Sequence, residues 1–214
     1  MANKKIGVIG SGAVGKALAA GFIKHGFDTV IGSREPDKLE GWAGKAGVKT
    51  GTFEQAARFG DIVVLAVKGT AAEAVVRHVG PALKAKIVMD ATNPIADVPP
   101  AAGVLRLFTT SDESLMERLE KAAPEAHFIK AFSCVGSGLM VDPSLPGGPP
   151  TMFICGNDAE AKQQVAGILR LFGWEAEDCG TAEAARAIEP LCMLWCIAGF
   201  LKNDWAHAYK VLRP

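Results

Sequence analysis

A glycine-rich segment near the start of the chain restricts the folds that the chain can adopt more than any other sequence feature does. The segment reads Gly10-Ser11-Gly12-Ala13-Val14-Gly15 and matches the pattern GxGxxG. It follows a predicted strand over Lys5–Ile9 and leads into a predicted helix over Val14–His25. The glycines would allow a tight turn, close backbone approach to a pyrophosphate, and close packing of the helix on the strand. This context predicts a dinucleotide site, with phosphate at the helix N-terminus, rather than an ordinary glycine turn.

Runs rich in valine and isoleucine alternate with alanine-rich helical runs through the rest of the chain, as expected of βαβ units. The next predicted elements are strands over Asp28–Ile31, Asp61–Val67, Lys86–Asp90 and Phe128–Phe132, and a helix over Thr70–Val79 with Thr70 as its cap and Pro81 beyond its end. They are followed by a strand over Thr151–Cys155, a helix from Asp158 to Leu171, a strand over Trp174–Asp178, and a terminal helix from Thr181 with a break near Pro190.

These elements predict an α/β fold of the Rossmann type, a doubly wound and mainly parallel sheet with a small C-terminal α/β extension and a long terminal helix. The segment 142–150 reads DPSLPGGPP and is predicted to lie outside regular structure, because proline removes backbone donors and glycine resists ordering. We therefore expect a dinucleotide-binding domain over residues 1–141. A smaller domain over 142–214 is expected to complete a second pocket.

The end of the second predicted strand lacks the acidic residue that usually binds the ribose hydroxyls of NAD. The chain reads Ile31-Gly32-Ser33-Arg34-Glu35-Pro36-Asp37-Lys38 there. A hydroxyl, a planar guanidinium and a mobile ammonium at Ser33, Arg34 and Lys38 suit the dianionic 2′-phosphate of NADP. The alternative is that Arg34 and Lys38 are solvated loop residues. The pattern favours NADP(H) over NAD(H).

The overall charge excludes some partners. The chain has 214 residues, with 23 basic and 23 acidic side chains, so no net field draws it to nucleic acid or to an anionic membrane. We expect a cytoplasmic protein with small-molecule partners. The apolar run Leu191–Leu201 is shorter than the roughly 20 residues of a membrane-spanning helix and is predicted to be core or subunit interface. One face of it, with Leu191, Leu194, Trp195 and Ala198, predicts a homodimer.

Five cysteines are present, and none forms a CxxC pair. An odd number among apolar neighbours suits reduced thiols inside a cell. Cys192 and Cys196 share a helical face, but no histidine or carboxylate is spaced to complete a metal site with them. No metal is predicted. The four histidines are expected to be structural or solvated.

The chain resembles the F420-dependent NADP oxidoreductase family, whose members pass hydride between NADP(H) and the deazaflavin coenzyme F420. The matching words are IGVIGSGAVGKALA, VIGSREPDK, DIVVLAVK, IVMDATNP, IKAF and ARAIEPL. They cover most of both predicted domains. The same module is also similar to the cytosolic domain of metalloreductases that reduce a flavin for a membrane haem.

The resemblance implies where the cofactor lies. It implies contacts with the glycine loop, with the residues that bind the 2′-phosphate, with the end of the central strand, and with residues near the nicotinamide. In that order, these residues are Gly10, Ser11, Gly12, Ala13, Val14 and Gly15; Ser33, Arg34 and Lys38; Ala66, Val67 and Lys68; and Asn93, Pro94, Ala131 and Phe132. The second substrate would be coenzyme F420 or a flavin. The chain departs from the family at Lys68-Gly69, where a proline-aromatic pair is usual, and at Phe132-Ser133-Cys134-Val135-Gly136, so these residues bear on the acceptor.

Hydride transfer between two flat rings needs positioning more than proton transfer, so no catalytic acid is predicted. Lys130 is the one candidate for a proton donor, because a lysine at a strand end could reach a substrate carbonyl. A lysine whose side chain extends to solvent is the commoner alternative. Two other functions stay open. One is a non-catalytic sensor of NADP(H), and the other is a reductase of a small carbonyl compound.

Overall fold

The computed structural model describes residues 4–214 and contains eight strands and eight α-helices in that range. The strands are β1 (Lys5–Ile9), β2 (Asp28–Gly32), β3 (Lys49–Gly51), β4 (Ile62–Leu65), β5 (Ile87–Asp90), β6 (His127–Lys130), β7 (Thr151–Ile154) and β8 (Glu175–Asp178). The helices are α1 (Ala13–Lys24), α2 (Glu40–Ala46), α3 (Phe53–Phe59), α4 (Gly69–Leu83), α5 (Leu115–Ala122), α6 (Ala159–Leu171), α7 (Ala185–Ile188) and α8 (Leu191–Lys202).

Six strands form one parallel sheet in the order β3-β2-β1-β4-β5-β6. The chain runs outward from β1 to β3 and then returns to the other side of β1 with β4. The strand order therefore reverses between β1 and β4, the point where ligands bind in open α/β sheets. The predicted Rossmann-type fold class is confirmed.

Both faces of the sheet are covered, as the continuous apolar strands predict. Side chains along β4 alternate between two cores: Ile62 and Val64 face the core that contains Phe22 of α1. Val63 and Leu65 face the core that contains Val76 of α4 and Leu119 of α5. All four side chains are at most 1% exposed. The sheet edge that carries the glycine loop is thus held by packing on two sides.

The predicted limits of α4 are wrong at both ends. Thr70 is not the cap, because the helix begins at Gly69 after Lys68, and the Thr70 hydroxyl donates to the Asp97 carboxylate instead. Pro81 lies inside the helix rather than beyond it. Proline so close to the end costs few hydrogen bonds. Burial of the next two residues, Ala82 and Leu83, favours continuing the helix by another turn.

The C-terminal part contains a parallel pair, β7 and β8, connected by α6. Asp158 caps α6 as predicted, since its carboxylate accepts a hydrogen bond from the Ala161 N–H at 2.7 Å. Side chains from this part, such as Val165 and Phe172, share a core with Ile6 of the large sheet. The division into domains at residue 142 stays a prediction.

The terminal helix is interrupted as predicted, and Pro190 stands between α7 and α8. A three-residue 3-10 turn precedes α7, so the helical stretch Ala182–Lys202 is 21 residues long and apolar enough, by length and composition alone, to span a membrane. Within the protein, Arg186 and Glu189 of this stretch bind α5: the Arg186 guanidinium pairs with Glu117, and Glu189 accepts from the Leu115 N–H. These contacts hold the helical stretch against α5.

Arg186→Gln is expected to lower stability at neutral pH. The Arg186 guanidinium, and behind it the Ser114 N–H, hold the pKa of Glu117 at about 2. A carboxyl with a depressed pKa stabilises the fold above its unfolded value near 4.5 and loses that contribution as the pH falls toward 2. The variant should therefore melt a few degrees lower at pH 7, with the difference shrinking below pH 4.5. Melting curves from pH 7 to pH 2.5 measure this, and a constant difference would contradict it.

Candidate functional site

A cleft of about 490 Å³ opens at the carboxyl edge of the sheet, where the strand order reverses. Its lining includes nine of the residues predicted to bind the cofactor: Gly10, Ser11, Gly12, Ser33, Arg34, Lys38, Ala66, Val67 and Lys68. Three strands supply them, because β1, β2 and β4 end side by side. The fold therefore brings together residues that are up to 58 positions apart in the sequence.

The glycine loop is shaped by two close backbone approaches. Gly10 has φ +118°, and a Cβ there would lie 2.3 Å from the Ala66 carbonyl oxygen. A Cβ on Gly15 would lie 1.9 Å from the Gly10 carbonyl oxygen. Gly10 and Gly15 are thus required by the fold itself. Gly12 is different, because a Cβ there meets nothing within 4 Å and the residue faces the cleft.

Gly12→Ala is expected to separate binding from folding. The added methyl group meets no atom of the described residues within 4 Å, but it projects where a pyrophosphate would approach the backbone. We expect the melting temperature to stay within about 2 °C, because the substitution is clash-free. Affinity for NADPH should fall about tenfold or more, in the range of a lost charged hydrogen bond. Calorimetry gives both values, and wild-type affinity in the folded variant would contradict this role for Gly12.

The residues predicted to bind the 2′-phosphate, Ser33, Arg34 and Lys38, surround one end of the cleft. Ser33 is 9% exposed, and its hydroxyl accepts from the Glu35 N–H and lies 3.2 Å from the Ser11 hydroxyl. Lys38 binds the Glu35 carboxylate at 2.6 Å. Arg34 is exposed and, across residues 4–214, pairs with no carboxylate. The guanidinium is thus the cation available here for an incoming anion.

Apolar side chains that sequence reasoning missed complete the cleft. Leu39, Phe53, Ala71 and Val75 line it. Phe53 is the first residue of α3, which begins with a reciprocal capping box between Thr52 and Gln55. The Thr-x-x-Gln spacing is a recognised start signal and was available in the sequence. A flat, apolar wall beside a cationic end suits an adenine ring next to a phosphate.

The residues predicted to lie near the nicotinamide are outside this cleft, at the ends of β5 and β6. Ala131 and Phe132 are at most 1% exposed, so only their backbone groups are available to a ligand. Phe132 has φ +62°, a left-handed conformation that a bulky residue rarely adopts. Asn93 donates to the Ser133 carbonyl oxygen at 2.8 Å. Of the remaining predicted contacts, Ala13, Val14 and Gly15 lie in the first turn of α1, and Pro94 is buried beside Asn93.

Lys130 does not extend to solvent, contrary to the commoner alternative considered for it. The side chain is 0% exposed, and its ammonium binds Asp90 at 2.6 Å and Glu189 at 2.8 Å. Burial alone would lower the pKa of Lys130, but attraction to Asp90 and Glu189 outweighs it and raises the pKa above its usual value. Lys130 is therefore a buried cation between two carboxylates and does not face the cleft.

The face of α8 predicted to form a dimer interface is only partly exposed. Leu194 is 56% exposed, but Trp195 is 6% exposed and packs inside its own chain. A Cβ on Gly136 would lie 2.6 Å from the Trp195 ring, which shows how closely they approach. Trp195 is thus unavailable to a second subunit, and that part of the prediction is wrong. Among residues 4–214, Cys192 and Cys196 have no third ligand that could complete a metal site.

A second cleft of about 530 Å³ lies beside the start of β6, away from the carboxyl edge. Glu117, Glu120, Asp158 and Glu183 line it. Burial, and then the neighbouring Glu183 and Glu117, raise the pKa of Glu120 to about 7. Clustered carboxylates disfavour a phosphate-bearing ligand. The cleft at the glycine loop is therefore the candidate site for a dinucleotide.

Comparison with known proteins agrees with this geometry. Residues 5–94, which include the glycine loop and β5, match the family model for NADP oxidoreductase, coenzyme F420-dependent. The F420-dependent NADP reductase of Methanocaldococcus jannaschii is 30% identical over 207 residues, covering 89% of this chain and 90% of the relative. A protein of Arthrobacter sp. FB24, whose crystal structure carries the provisional description of an F420-dependent NADP reductase, superposes with a TM-score of 0.91 at 29% identity. It covers 98% of this chain and all of its own.

A more distant relative is the metalloreductase STEAP3 of Rattus norvegicus, which is 27% identical over 195 residues. The match covers 87% of this chain but only 36% of that protein. The Methanocaldococcus relative matches along nearly its whole length and decides the assignment. The predicted activity class, an NADP-dependent oxidoreductase, is confirmed. The chain belongs to the F420-dependent NADP reductase family.

Proposed function

We propose that this protein transfers hydride between NADPH and the deazaflavin coenzyme F420. The observation that carries the proposal is the cleft at the strand-order reversal. It combines a glycine loop, an apolar wall, and an Arg34 that pairs with no carboxylate of residues 4–214. The related reductases supply the identity of the acceptor. A small-carbonyl reductase is not supported, because Lys130, the candidate proton donor, is enclosed by Asp90 and Glu189.

The cofactor would lie across the carboxyl edge with its parts in a fixed order. The 2′-phosphate would bind Ser33, Arg34 and Lys38, and the pyrophosphate would bind the loop from Gly10 to Gly15 at the start of α1. Ala66, Val67 and Lys68 would support the middle of the molecule. The nicotinamide would then reach Asn93, Pro94 and the backbone of Ala131 and Phe132.

The protein contributes geometry to the reaction and no acid or base. When bound, NADPH would supply the hydride to a ring carbon of the deazaflavin, and the one proton that completes the reduction at a ring nitrogen would come from solvent. The chain's own part is to hold the two rings within near-attack distance and to exclude water from the space between them. The strained turn at Phe132 and the buried side chains after it are suited to rigid positioning.

The test is to follow NADPH oxidation with F420, FMN, FAD, quinones and ferric chelates in separate assays. We expect turnover with F420 at a kcat of roughly 1 s⁻¹ or more, within the ordinary range for enzymes. Turnover with a flavin and none with F420 would reassign the acceptor. NADPH binding without oxidation by any acceptor would overturn the enzyme and support the sensor.

We also propose a homodimer, formed by the outer surface of α8. Leu194 and Leu201 lie seven positions apart on α8 and are 56% and 60% exposed. Val104, which follows the Gly103 that approaches Leu201, is 44% exposed. Contiguous exposed apolar side chains are found at association sites more often than elsewhere on a protein surface. Light scattering at micromolar concentration should give twice the mass of one chain. A single-chain mass would contradict the dimer.

A further inference from the structure

Three buried charges join separate parts of the fold beneath the expected nicotinamide end. Asp90 ends β5, Lys130 ends β6, and Glu189 precedes the break between α7 and α8. Their side chains are at most 2% exposed. Glu189 also accepts from the Leu115 and Met116 N–H groups at 2.9 and 3.0 Å, so the start of α5 stabilises part of its charge and Lys130 the rest. The proposed chemistry uses none of these charges directly.

The same charges fix both backbone polar groups of Thr92. Asp90 accepts from the Thr92 N–H at 2.9 Å and from its hydroxyl at 2.6 Å. The Lys130 ammonium donates to the Thr92 carbonyl oxygen at 3.1 Å. With the N–H and the carbonyl both bound, the direction in which the chain leaves β5 is set. The next residue along the chain is Asn93.

Asn93 is held tightly at the point where it would meet a cofactor. A Cβ on Gly69 would lie 1.9 Å from the Asn93 carbonyl oxygen, so α4 begins directly against it. Its side-chain nitrogen donates to Ser133, whereas its Oδ1 is buried and finds no donor within residues 4–214. A buried acceptor without a donor costs free energy. An N–H group from a ligand, such as a carboxamide, would satisfy it.

We propose that Lys130 is a positioning residue, which orients Asn93 Oδ1 through the Thr92 carbonyl toward the carboxamide of the NADPH nicotinamide. The inference rests on the proposed NADPH-dependent function and deepens it. Lys130 acts on the cofactor only through the backbone of Thr92 and Asn93. Because Glu189 binds the same ammonium, the terminal helical stretch helps to hold that backbone in place.

The main variant is the double substitution Asp90→Asn with Lys130→Met. It keeps an acceptor for the Thr92 N–H and keeps the net charge of the buried group at −1, while it removes the donor to the Thr92 carbonyl. The matched control is Lys86→Met. The Lys86 ammonium also binds backbone carbonyls, those of Ala57 and Gly60 at 2.7 Å each, but at the opposite edge of the sheet.

The first readout is binding of two ligands, NADPH and 2′-phospho-ADP-ribose, which has no nicotinamide. In the double variant we expect affinity for the fragment to stay within about twofold, and the advantage of NADPH over the fragment to shrink about 3–10-fold, as for one lost hydrogen bond. The second readout is kcat with F420, expected to fall about 10–100-fold through misplacement of the ring. Lys86→Met should lower the melting temperature and leave both readouts unchanged.

A double variant with a lower melting temperature but the wild-type affinity ratio and kcat would overturn the inference. If the double variant does not fold, adding Glu189→Gln removes the remaining buried charge, keeps an acceptor for the Leu115 and Met116 N–H groups, and still lacks the donor to the Thr92 carbonyl. This triple variant should shift the affinity ratio about 3–10-fold in the same direction. An unchanged ratio in that variant would also overturn the inference. Wild type that binds NADPH but does not reduce F420 would overturn the proposed acceptor, and the affinity ratio would still test Lys130.

Discussion

Lys130→Met is expected to destabilise the fold by about 3–5 kcal/mol, the cost of removing one partner from a buried ion pair. The substitution leaves the Asp90 and Glu189 carboxylates in the interior without the cation that lies 2.6 and 2.8 Å from them. Methionine fills most of the space but compensates neither charge. Urea unfolding at pH 7 measures the loss. The double variant Asp90→Asn with Lys130→Met should be less destabilised than Lys130→Met alone, since one of the two uncompensated charges is gone.

Lys84→Met is the matched control for Lys130→Met. Lys84 also pairs with a carboxylate, that of Glu125, but their side chains are 66% and 65% exposed. Water and salt compensate both groups when the pair is broken, so the free energy of unfolding should hardly change. An equal loss in the free energy of unfolding for Lys84→Met and Lys130→Met would show that burial does not increase the contribution of Lys130 to stability.

Arg34→Ala is expected to weaken NADPH binding by about 1.5–3 kcal/mol, or roughly 10–150-fold, the usual value of hydrogen bonds to a charged group. Arg34 lines the cleft and has no carboxylate partner in the described part of the chain, so its guanidinium is available to a phosphate. NADH lacks the 2′-phosphate, and its affinity should stay within about twofold. Calorimetric titration of the variant with both cofactors gives the two numbers. Equal losses for NADPH and NADH would assign Arg34 to the pyrophosphate or to the fold.

Glu35 provides a companion test at the same end of the cleft. Its carboxylate binds Lys38 at 2.6 Å and so competes with any phosphate for that ammonium. Glu35→Gln should therefore strengthen NADPH binding a few-fold, whereas Lys38→Ala should weaken it less than Arg34→Ala does. Ranking the three variants by their affinity for NADPH separates the contributions of Arg34 and Lys38.

The parallel sheet and its glycine loop could be predicted because their signals are local. β1 and β2 agree with their predicted limits to within one residue, and Gly10 and Gly15 lie where the pattern requires them. Boundaries that depend on tertiary packing could not be predicted. Pro81 stays within α4 because Ala82 and Leu83 are buried, and the sequence alone does not reveal which residues lie opposite them.

No element is predicted in the regions between the strongest apolar runs, and these regions contain β3, α2, α3 and α5. Two of these helices begin with a capping box, Thr52 with Gln55 and Ser114 with Glu117, so their starts were predictable from the sequence. The burial of Lys130 was not. Its partner Glu189 is 59 residues away, and no local pattern joins a strand-end lysine to a helix-end glutamate.

Cofactor selection at the end of β2 is tested most directly by the ratio of the dissociation constants of NADH and NADPH for the unmodified protein at physiological ionic strength. If the end of β2 binds the 2′-phosphate, the affinity for NADPH should be at least about tenfold higher than that for NADH. The ratio should fall close to one in Arg34→Ala. Equal affinity of the unmodified protein for NADH and NADPH would show that Ser33, Arg34 and Lys38 do not bind the 2′-phosphate.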